Sequence, residues 1–379
     1  MIRAFRAARL FDGTHLSRHA TLLVEGERVA AILRAENPLP AGVQLVDLGE
    51  GILAPGLIDL QVNGGDGIML GKGADADRIA RICAAHARLG ATGILPTLIT
   101  DTPAVTAQVV AAAIAAHRAR VPGFLGLHLE GPHLDPRRAG AHDPALIRPM
   151  EDADLHALES AARALPALLI TLAPEAASPD QIARLCRAGA VVSLGHSDCT
   201  ADAAEAAFAA GARAVTHLFN AMSQLSARSP GLVGAALAAP VSAGIIADGV
   251  HVADAALRTA LAAKGPDRLF LVSDAMAVAG TDLAEFTLGD RRIRRLQGRL
   301  TLADGTLAGA DITLPQALAH LHRLGCPTDR ALAMATRLPA QLIGAADRGI
   351  LVPGARADFV HLAPDLALRA VWRDGQPVA

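Results

Sequence analysis

The chain has 379 residues, of which 52% are hydrophobic and 2% aromatic, and its formal net charge at pH 7 is −2. That length exceeds one average domain and fits a barrel of about 250 residues with a smaller module. The near-neutral charge gives no reason to expect nucleic acid or an anionic membrane surface as a partner, so local groups must hold any anionic ligand.

Short strands are predicted at the N-terminus, over residues 2–10 and 20–34, with turn signals at Asp12-Gly13 and Glu25-Gly26. From Ile52 onward, apolar strands alternate with alanine-rich helical stretches, which is the pattern of repeated βα units. The predicted strands are 52–62, 93–99, 124–130, 168–173, 191–196, 214–217, 243–247 and 269–274. The predicted helices are 75–89, 103–119, 179–188, 201–210, 253–264, 311–324 and 328–335.

Strand character returns after Gly349, over residues 350–352, 358–362 and 368–373, with a turn at Asp374-Gly375. Both ends of the chain are therefore strand-rich, while the middle is βα. The predicted fold class is α/β: a (β/α)8 TIM-like barrel over 52–347, with a small β-sandwich domain formed by residues 1–51 and 348–379.

Cysteine usage and hydropathy bear on the compartment. The four cysteines are scattered without a CxxC pair, which argues against a disulfide scaffold. The first residues lack the apolar core of a signal peptide. The most apolar later run, 231–246, contains Pro240 and glycines and fits a buried core better than a membrane span. We therefore expect a soluble, cytoplasmic protein without a membrane partner.

Four polar residues are predicted at the C-terminal ends of separate strands: Glu130, His196, His217 and Asp274. The C-terminal ends of parallel barrel strands surround the mouth where active sites lie. Glu130, His196 and His217 offer one oxygen and two imidazole nitrogens, and three protein ligands are usual for catalytic zinc. For each residue alone, the alternative is a buried carboxylate bonded to a core histidine.

Asp274 follows an apolar strand and is a candidate general base and acid. A metal lowers the pKa of water to near 7, so a nearby carboxylate can complete the deprotonation and later protonate a departing amine. The alternative is an ordinary N-cap aspartate at a strand-to-helix junction. Its place beside the three candidate ligands favours the catalytic interpretation.

The chain resembles the N-acetylglucosamine-6-phosphate deacetylase family of the amidohydrolase superfamily. The resemblance extends over the whole chain and rests on six motifs in the family's order: Pro55-Gly56-Leu57-Ile58-Asp59, His128-Leu129-Glu130-Gly131-Pro132, Gly195-His196-Ser197, Thr216-His217-Leu218-Phe219-Asn220-Ala221-Met222, Ala247-Asp248-Gly249-Val250-His251 and Ser273-Asp274-Ala275. It implies removal of the N-acetyl group from an amino sugar 6-phosphate. It also implies a homodimer in which the neighbouring subunit supplies some substrate contacts.

The resemblance implies further site residues. His142 matches a histidine over the acetyl group, where a donor would stabilise the developing oxyanion; its alternative is a surface histidine. Arg228 and His251 are candidates for the sugar phosphate, with Asn220 and the backbone N–H of Ala221. Arg228 alone is equally a solvated loop arginine. The loop around Gly309 resembles one that closes over the sugar.

The end of the first strand departs from many amidohydrolases, which carry His-x-His there and bind two metals. This chain has Gln61-Val62-Asn63, and neutral amides are poor ligands for transition metals. We therefore expect one divalent ion per subunit, Zn²⁺ before Fe²⁺, Mn²⁺ or Co²⁺, with a weaker second site left open. Gln61 and Asn63 then orient water, line the pocket or fill space, and His128 is a candidate partner of Glu130 rather than a ligand.

The leading functional hypothesis is metal-dependent hydrolysis of the acetamide of N-acetylglucosamine 6-phosphate. Another amidohydrolase reaction, such as cyclic-amide hydrolysis or deamination of a base, is the alternative among enzymes. The basic residues Arg228 and His251 favour a phosphorylated substrate. A non-catalytic barrel acting as a binding or scaffold protein is the alternative outside the enzymes, kept open by the missing His-x-His.

Overall fold

The computed structural model describes residues 2–379. The N-terminal part consists of short strands. They are β1 (Ile2–Arg6), β2 (Arg9–Phe11), β3 (Leu16–Arg18), β4 (Thr21–Glu25), β5 (Arg28–Leu33), β6 (Gln44–Asp47) and β7 (Ile52–Pro55).

A run of alternating strands and helices follows. Its strands are β8 (Leu57–Val62), β9 (Gly64–Gly65), β10 (Ile68–Met69), β11 (Ala91–Ile99), β12 (Leu127–Glu130), β13 (Leu168–Leu172), β14 (Val191–Leu194), β15 (Ala214–Val215), β16 (Ser242–Ile245) and β17 (Leu269–Leu271). Its helices are α1 (Ala76–Arg88), α2 (Pro103–Arg118), α3 (Asp152–Ala164), α4 (Pro179–Arg187), α5 (Ala201–Ala209), α6 (Gly231–Ala238) and α7 (Asp254–Lys264), with 3₁₀ turns at Pro136–Arg138 and Pro144–Leu146.

Eight of these strands form one parallel sheet in the order β17-β16-β15-β14-β13-β12-β11-β8. A parallel bridge between Val62 and Ala275 joins its two end strands, so the sheet curls into a nearly closed barrel. The predicted (β/α)8 barrel is confirmed. Several of its helices begin at a Ser or Thr whose side chain accepts a backbone N–H, as Ser178 does from Gln181 at the start of α4.

A separate four-stranded antiparallel sheet follows β17 and consists of β18 (Glu285–Leu288), β19 (Arg291–Leu296), β20 (Arg299–Thr301) and β21 (Leu307–Ala310). We call these four strands the cover sheet, since residues of β18 and β21 line the cavity at the barrel mouth. The chain continues through α8 (Leu314–Arg323), α9 (Thr328–Ala335), α10 (Arg337–Leu342), β22 (Phe359–Leu362), β23 (Leu368–Arg373) and β24 (Gln376–Pro377).

The two ends of the chain build a β-sandwich, as predicted. One sheet has the order β5-β4-β1-β6, and the other has the order β24-β23-β22-β7-β2-β3, which mixes N- and C-terminal strands. The sheets share a core in which the Phe5 ring meets Phe359 edge-on at 4.9 Å between centroids, and Phe359 stacks on Trp372 at 4.8 Å.

The segment predicted as one strand over 52–62 is two strands that meet at Gly56. Strand β7 pairs with β22 in the sandwich, whereas β8 pairs with β11 in the barrel. A Cβ on Gly56 would lie 2.0 Å from Thr92 Oγ1, so this crossing tolerates only glycine. The domain division at residues 51/52 and 347/348 stays a prediction, while the hydrogen-bonded sandwich sheet extends to Pro55.

Most predicted helices are observed within a few residues of their predicted ends, whereas α3, α6, α10 and the cover sheet were not predicted. Helix α6 is almost uniformly apolar, so its sequence lacks the one-sided pattern that marks a surface helix. Within the described residues, every helix is too short or too polar to cross a membrane.

Candidate metal centre and active site

Three of the predicted strand-end residues meet at the barrel mouth. His217 Nε2 lies 3.1 Å and His196 Nε2 lies 3.2 Å from Glu130 Oε1, and the two Nε2 atoms are 3.0 Å apart. All three side chains are buried, although ionisable groups are rarely buried without partners. The predicted convergence of Glu130, His196 and His217 is thus what the structure shows.

The backbone at these strand ends is bent into an unusual conformation. His196, His217 and Asp274 have φ values of +47°, +28° and +49°, in the left-handed region that non-glycine residues rarely occupy. Each follows a barrel strand directly or within three residues. Strain of this kind collects at functional sites, because the surrounding structure must hold it in place.

The hydrogen bonds of the two histidines decide which nitrogen faces the site. His196 Nδ1 lies 2.8 Å from the backbone carbonyl of Arg138, which can only accept, so Nδ1 carries the proton and the Nε2 lone pair points at Glu130. His217 also directs Nε2 at Glu130, while its buried Nδ1 has no protein partner among the described residues.

This donor set fits a divalent cation. Zinc at about 2.0–2.1 Å from tetrahedral N and O ligands has ligand atoms about 3.3 Å from one another. The separations of 3.0–3.2 Å among the Glu130, His196 and His217 atoms are close to that value. Burial alone would raise the Glu130 carboxyl pKa, but the interactions with His196 and His217 outweigh burial and hold that pKa well below its ordinary value, so Glu130 is an anionic ligand.

His142 also lies close enough to be considered a ligand, since one of its ring nitrogens, a Glu130 carboxylate oxygen and a His196 ring nitrogen all lie within 4.8 Å of one another. Its hydrogen bonds argue against that role. The backbone N–H of Thr100 donates to His142 Nδ1 at 3.3 Å, and Thr100 Oγ1 is 2.7 Å from the same atom. With Nδ1 accepting, Nε2 carries the proton and is a donor.

Burial keeps His142 neutral. Burial, with a smaller contribution from the neighbouring His196, lowers the His142 pKa to about 3. Nε2 lies 3.9 Å from Glu130 Oε2, so its N–H faces the site from the side opposite Thr100. The structure therefore presents His142 as a neutral hydrogen-bond donor, which is the property that the predicted oxyanion role requires.

The Asp274 carboxylate is held by two side-chain amides, one of which also bonds Glu130. Asn63 Nδ2 donates to Asp274 Oδ1 at 2.7 Å, and Gln61 Nε2 donates to the same oxygen at 3.2 Å and to Glu130 Oε1 at 3.1 Å. Two carboxylates can only accept, so the Gln61 NH₂ group must face them. The Gln61 amide therefore places N–H donors between the two carboxylates. A second metal ion would need ligand atoms at that position, and N–H groups cannot serve as ligands.

The Asp274 pKa is raised to about 6 by burial and by repulsion from Glu130, despite the hydrogen bond from Asn63. A carboxylate whose pKa approaches neutrality takes up and returns protons near physiological pH. The shift is of the kind that marks functional carboxylates in clefts.

These groups open into a cavity of about 380 Å³. Of the residues predicted for the substrate, Asn220, Ala221, His251 and Gly309 line it. Apolar and polar residues absent from the prediction also line it, among them Ile99, Met276, Leu288, Thr306, Arg137 and Arg138. A mixed wall of this size suits a small polar ligand with an apolar group.

Two predicted substrate residues lie elsewhere. Gln61 is buried beneath the cavity and contacts the carboxylates, not the cavity surface. Arg228 is exposed on the loop before α6 and does not line the cavity of its own chain. For Arg228, the predicted phosphate contact is compatible with the structure only through another subunit.

His251 and Gly309 have specific local reasons for their positions. His251 Nδ1 lies 2.6 Å from Asp248 Oδ2, which fixes the ring at the cavity wall. Gly309 has φ +65°, and a Cβ there would lie 2.4 Å from Met276 Cγ and 2.8 Å from the Asp274 carbonyl. Only glycine lets β21 approach the end of β17 this closely.

His128 and His133 are not ligands. His128 lies below the site, with Nε2 at 2.8 Å from Thr171 Oγ1 and Nδ1 at 3.2 Å from Thr97 Oγ1. Burial lowers its pKa to about 4, so it is a neutral link between strands and not a direct partner of Glu130. His133 contacts the carbonyl of Arg148 at the back of the loop.

Comparison with known proteins agrees with this geometry. The sequence profile of the Amidohydrolase family matches residues 52–378. The chain belongs to this family. It is 39% identical over 331 residues to an N-acetylgalactosamine-6-phosphate deacetylase of Shewanella sp. (strain ANA-3), covering 87% of this chain and 84% of that one.

Further relatives extend the match. An N-acetylglucosamine-6-phosphate deacetylase of Danio rerio is 37% identical over 350 residues, covering 88% of this chain and 86% of that one. The crystal structure of N-acetylglucosamine-6-phosphate deacetylase from Pasteurella multocida superposes with a TM-score of 0.95 at 32% identity, covering 100% of this chain and 99% of that one. This amidohydrolase therefore shares its whole architecture, sandwich included, with that enzyme.

Proposed function

We propose that this amidohydrolase removes the N-acetyl group of N-acetylglucosamine 6-phosphate, giving glucosamine 6-phosphate and acetate. One observation carries the proposal. Glu130 Oε1, His196 Nε2 and His217 Nε2 lie within 3.2 Å of one another, and the cavity that they line also contains the buried acid Asp274. Relatives with the same architecture bear the names of amino sugar phosphate deacetylases. Cyclic-amide hydrolysis, base deamination and a scaffold role have no such support.

Glu130, His196 and His217 would hold one divalent ion. When bound, such an ion polarises a carbonyl oxygen and lowers the pKa of water. Zinc suits two imidazoles and a carboxylate best, and Fe²⁺, Mn²⁺ and Co²⁺ accept the same donors. The amides of Gln61 and Asn63 support a single ion, because they donate hydrogen bonds to the carboxylates instead of offering ligand atoms.

The chain's own residues would carry out the proton transfers. Asp274 takes a proton from the attacking water and gives it to the amine nitrogen as the C–N bond breaks, since an amine leaves poorly without that proton. His142 donates its Nε2–H to the acetamide oxygen as negative charge develops there. Asn63 and Gln61 hold the Asp274 carboxylate in place for both transfers.

His251, Asn220 and the Ala221 backbone would receive the phosphate end of the substrate, because they line the same cavity as the candidate metal ligands. In a homodimer, Arg228 would reach the phosphate of a neighbouring subunit, because its exposed position leaves it free for such a contact. We also propose the cytoplasm as the compartment. The four cysteines are free, which fits a reducing environment.

N-acetylgalactosamine 6-phosphate is a second candidate substrate, because a relative at 39% identity is named for it. Acetate release from the two epimers, each with and without its phosphate, tests the function. We expect kcat/KM to be highest for one of the phosphorylated sugars. Absence of acetate release from all four, with a full complement of bound metal, would contradict the proposal.

A further inference from the structure

Asp59 is a buried acid at the seam of the barrel. It lies in β8, which with β17 forms the two ends of the hydrogen-bonded strand order. In the described part of the chain, a single bridge crosses this seam, between Val62 at the end of β8 and Ala275, which follows β17. Asp59 is 1% exposed and fills the gap in the ladder below that bridge.

The Asp59 carboxylate bonds the backbone on both sides of the seam. Oδ1 accepts from the N–H of Gln61 at 3.2 Å, and both oxygens lie 3.2 Å from the N–H of Ser273. The Ser273 hydroxyl accepts from the Ala275 N–H at 3.2 Å. One carboxylate thus takes the place of several ladder hydrogen bonds.

These bonds surround the proposed proton-transfer residue. Asp274 stands between Ser273 and Ala275, in a left-handed conformation with φ +49°. The Ala275 carbonyl accepts from the N–H of Asn63 at 2.8 Å. Asp59 therefore fixes the N–H of Ser273, one residue before Asp274, and the backbone of Gln61, whose side chain also bonds Asp274.

We propose that Asp59 is a positioning residue: by bonding Ser273 and Gln61 across the seam, it holds the Asp274 carboxylate where proton transfer occurs. This inference rests on the proposed deacetylase function. Small displacements of reacting groups are costly, since a misplacement of about 1 Å can reduce the rate about 10²-fold.

The chemistry of the position supports a functional role over packing. Burial, with a small contribution from the charge of Asp274, raises the pKa of Asp59 to about 7. A buried carboxylate reduces stability relative to an apolar side chain of similar size. Side chains that reduce the stability of the fold in this way are concentrated at functional sites.

The test compares Asp59→Ala with Asp59→Asn, using acetate release from the preferred sugar phosphate. Alanine removes all acceptors, and we expect kcat to fall about 10–100-fold with KM and metal content unchanged. Asparagine keeps an oxygen that can accept from both Gln61 and Ser273, so most of the lost kcat should return. An inactive native protein would contradict the proposed function itself, separately from this inference.

Asp358→Ala is the matched control, because Asp358 is a similarly buried acid that pairs with Arg348 away from the cavity. The Asp358→Ala variant should have a lower melting temperature than the native protein and the same kcat. If Asp59→Ala does not fold, Asp59→Glu decides, since its longer side chain displaces the carboxylate from the N–H groups of Gln61 and Ser273 and should lower kcat several-fold. Native kcat in Asp59→Ala, no recovery with asparagine, or native kcat in Asp59→Glu would overturn the inference.

Discussion

The Nε2 atoms of His196 and His217 lie 3.0 Å apart, with Glu130 Oε1 within 3.2 Å of both. His196 Nε2 bears a lone pair, because its Nδ1–H is committed to the Arg138 carbonyl. Two imidazole nitrogens this close repel each other unless a proton or a cation lies between them. The arrangement is therefore organised to hold a positive charge between the two nitrogens and the Glu130 carboxylate.

Loss of either histidine should remove both metal and activity. We expect His217→Ala to bind well under one equivalent of zinc and to lose turnover, whereas chelation of the native protein should be reversed by added zinc. His361→Asn is the control, since His361 is a buried histidine that bonds the Glu50 carbonyl within the sandwich. Full metal content in His217→Ala, measured by elemental analysis, would contradict the ligand assignment.

Asp274→Asn should keep its metal and lose about 10²–10⁴-fold in kcat, because an amide can neither accept nor return the proton. In the native enzyme, the Asp274 pKa is raised to about 6, and a bound cation would lower it by favouring the carboxylate. Activity should therefore fall as pH decreases, with an acidic limb below about 6. A kcat/KM profile that stays flat down to pH 4.5 would count against Asp274 as the base.

His142→Gln should lower kcat about 10²–10³-fold with its metal retained, since it removes or displaces a donor aimed at the developing oxyanion. Thr100→Val should have a smaller effect, because the Thr100 backbone N–H still holds Nδ1. If His142 were a metal ligand instead, His142→Gln would lose metal in parallel with activity. Metal content measured beside kcat separates the two roles.

The amides of Gln61 and Asn63 should limit the site to one ion. We expect about one equivalent in the native protein and a second in the double variant Gln61→His with Asn63→His, because imidazoles are ligands where amides only donate to the carboxylates. Gln61→His alone serves as the intermediate case. Two equivalents in the native protein, after dialysis against metal-free buffer, would show that the amides do not exclude the second ion.

The metal site was predictable because its ligands end separate apolar strands, and the barrel topology brings such ends together. The groups that hold the site's histidines in place were not predictable from the sequence. Thr100 fixes His142 and the Arg138 carbonyl fixes His196 from 42 and 58 residues away, and nothing local in the sequence marks those partnerships.

The sequence of the cover sheet contains a recognisable strand pattern, although these strands were not predicted. Residues 285–310 contain the turn pairs Gly289-Asp290, Gln297-Gly298 and Asp304-Gly305, and Ile293 is buried between exposed arginines at 292 and 294. That alternation is a strand period, and the turn pairs predict hairpins. Gly56 likewise marks the change from sandwich to barrel, but only its approach to Thr92 explains why the strand divides there.

Arg228 provides the last prediction, because it is exposed and outside the cavity of its own chain. If it binds the phosphate of a neighbouring subunit, Arg228→Ala should raise KM for phosphorylated substrates and leave KM for the unphosphorylated sugar unchanged. Arg294→Ala, an exposed arginine of the cover sheet, is the control and should change neither value.

Mixed dimers would show whether the contact crosses the interface. Arg228→Ala subunits keep Asp274, and Asp274→Asn subunits keep Arg228, so each homodimer should be nearly inactive at low substrate concentration. In the mixed dimer, one site combines a native Asp274 with the partner's native arginine. Activity at low substrate should therefore return when the two variants are coexpressed, to about a quarter of the native value for random pairing, since half of the dimers are mixed and each has one complete site. Activity no higher than the average of the two homodimers would show that Arg228 acts within its own subunit or not at all.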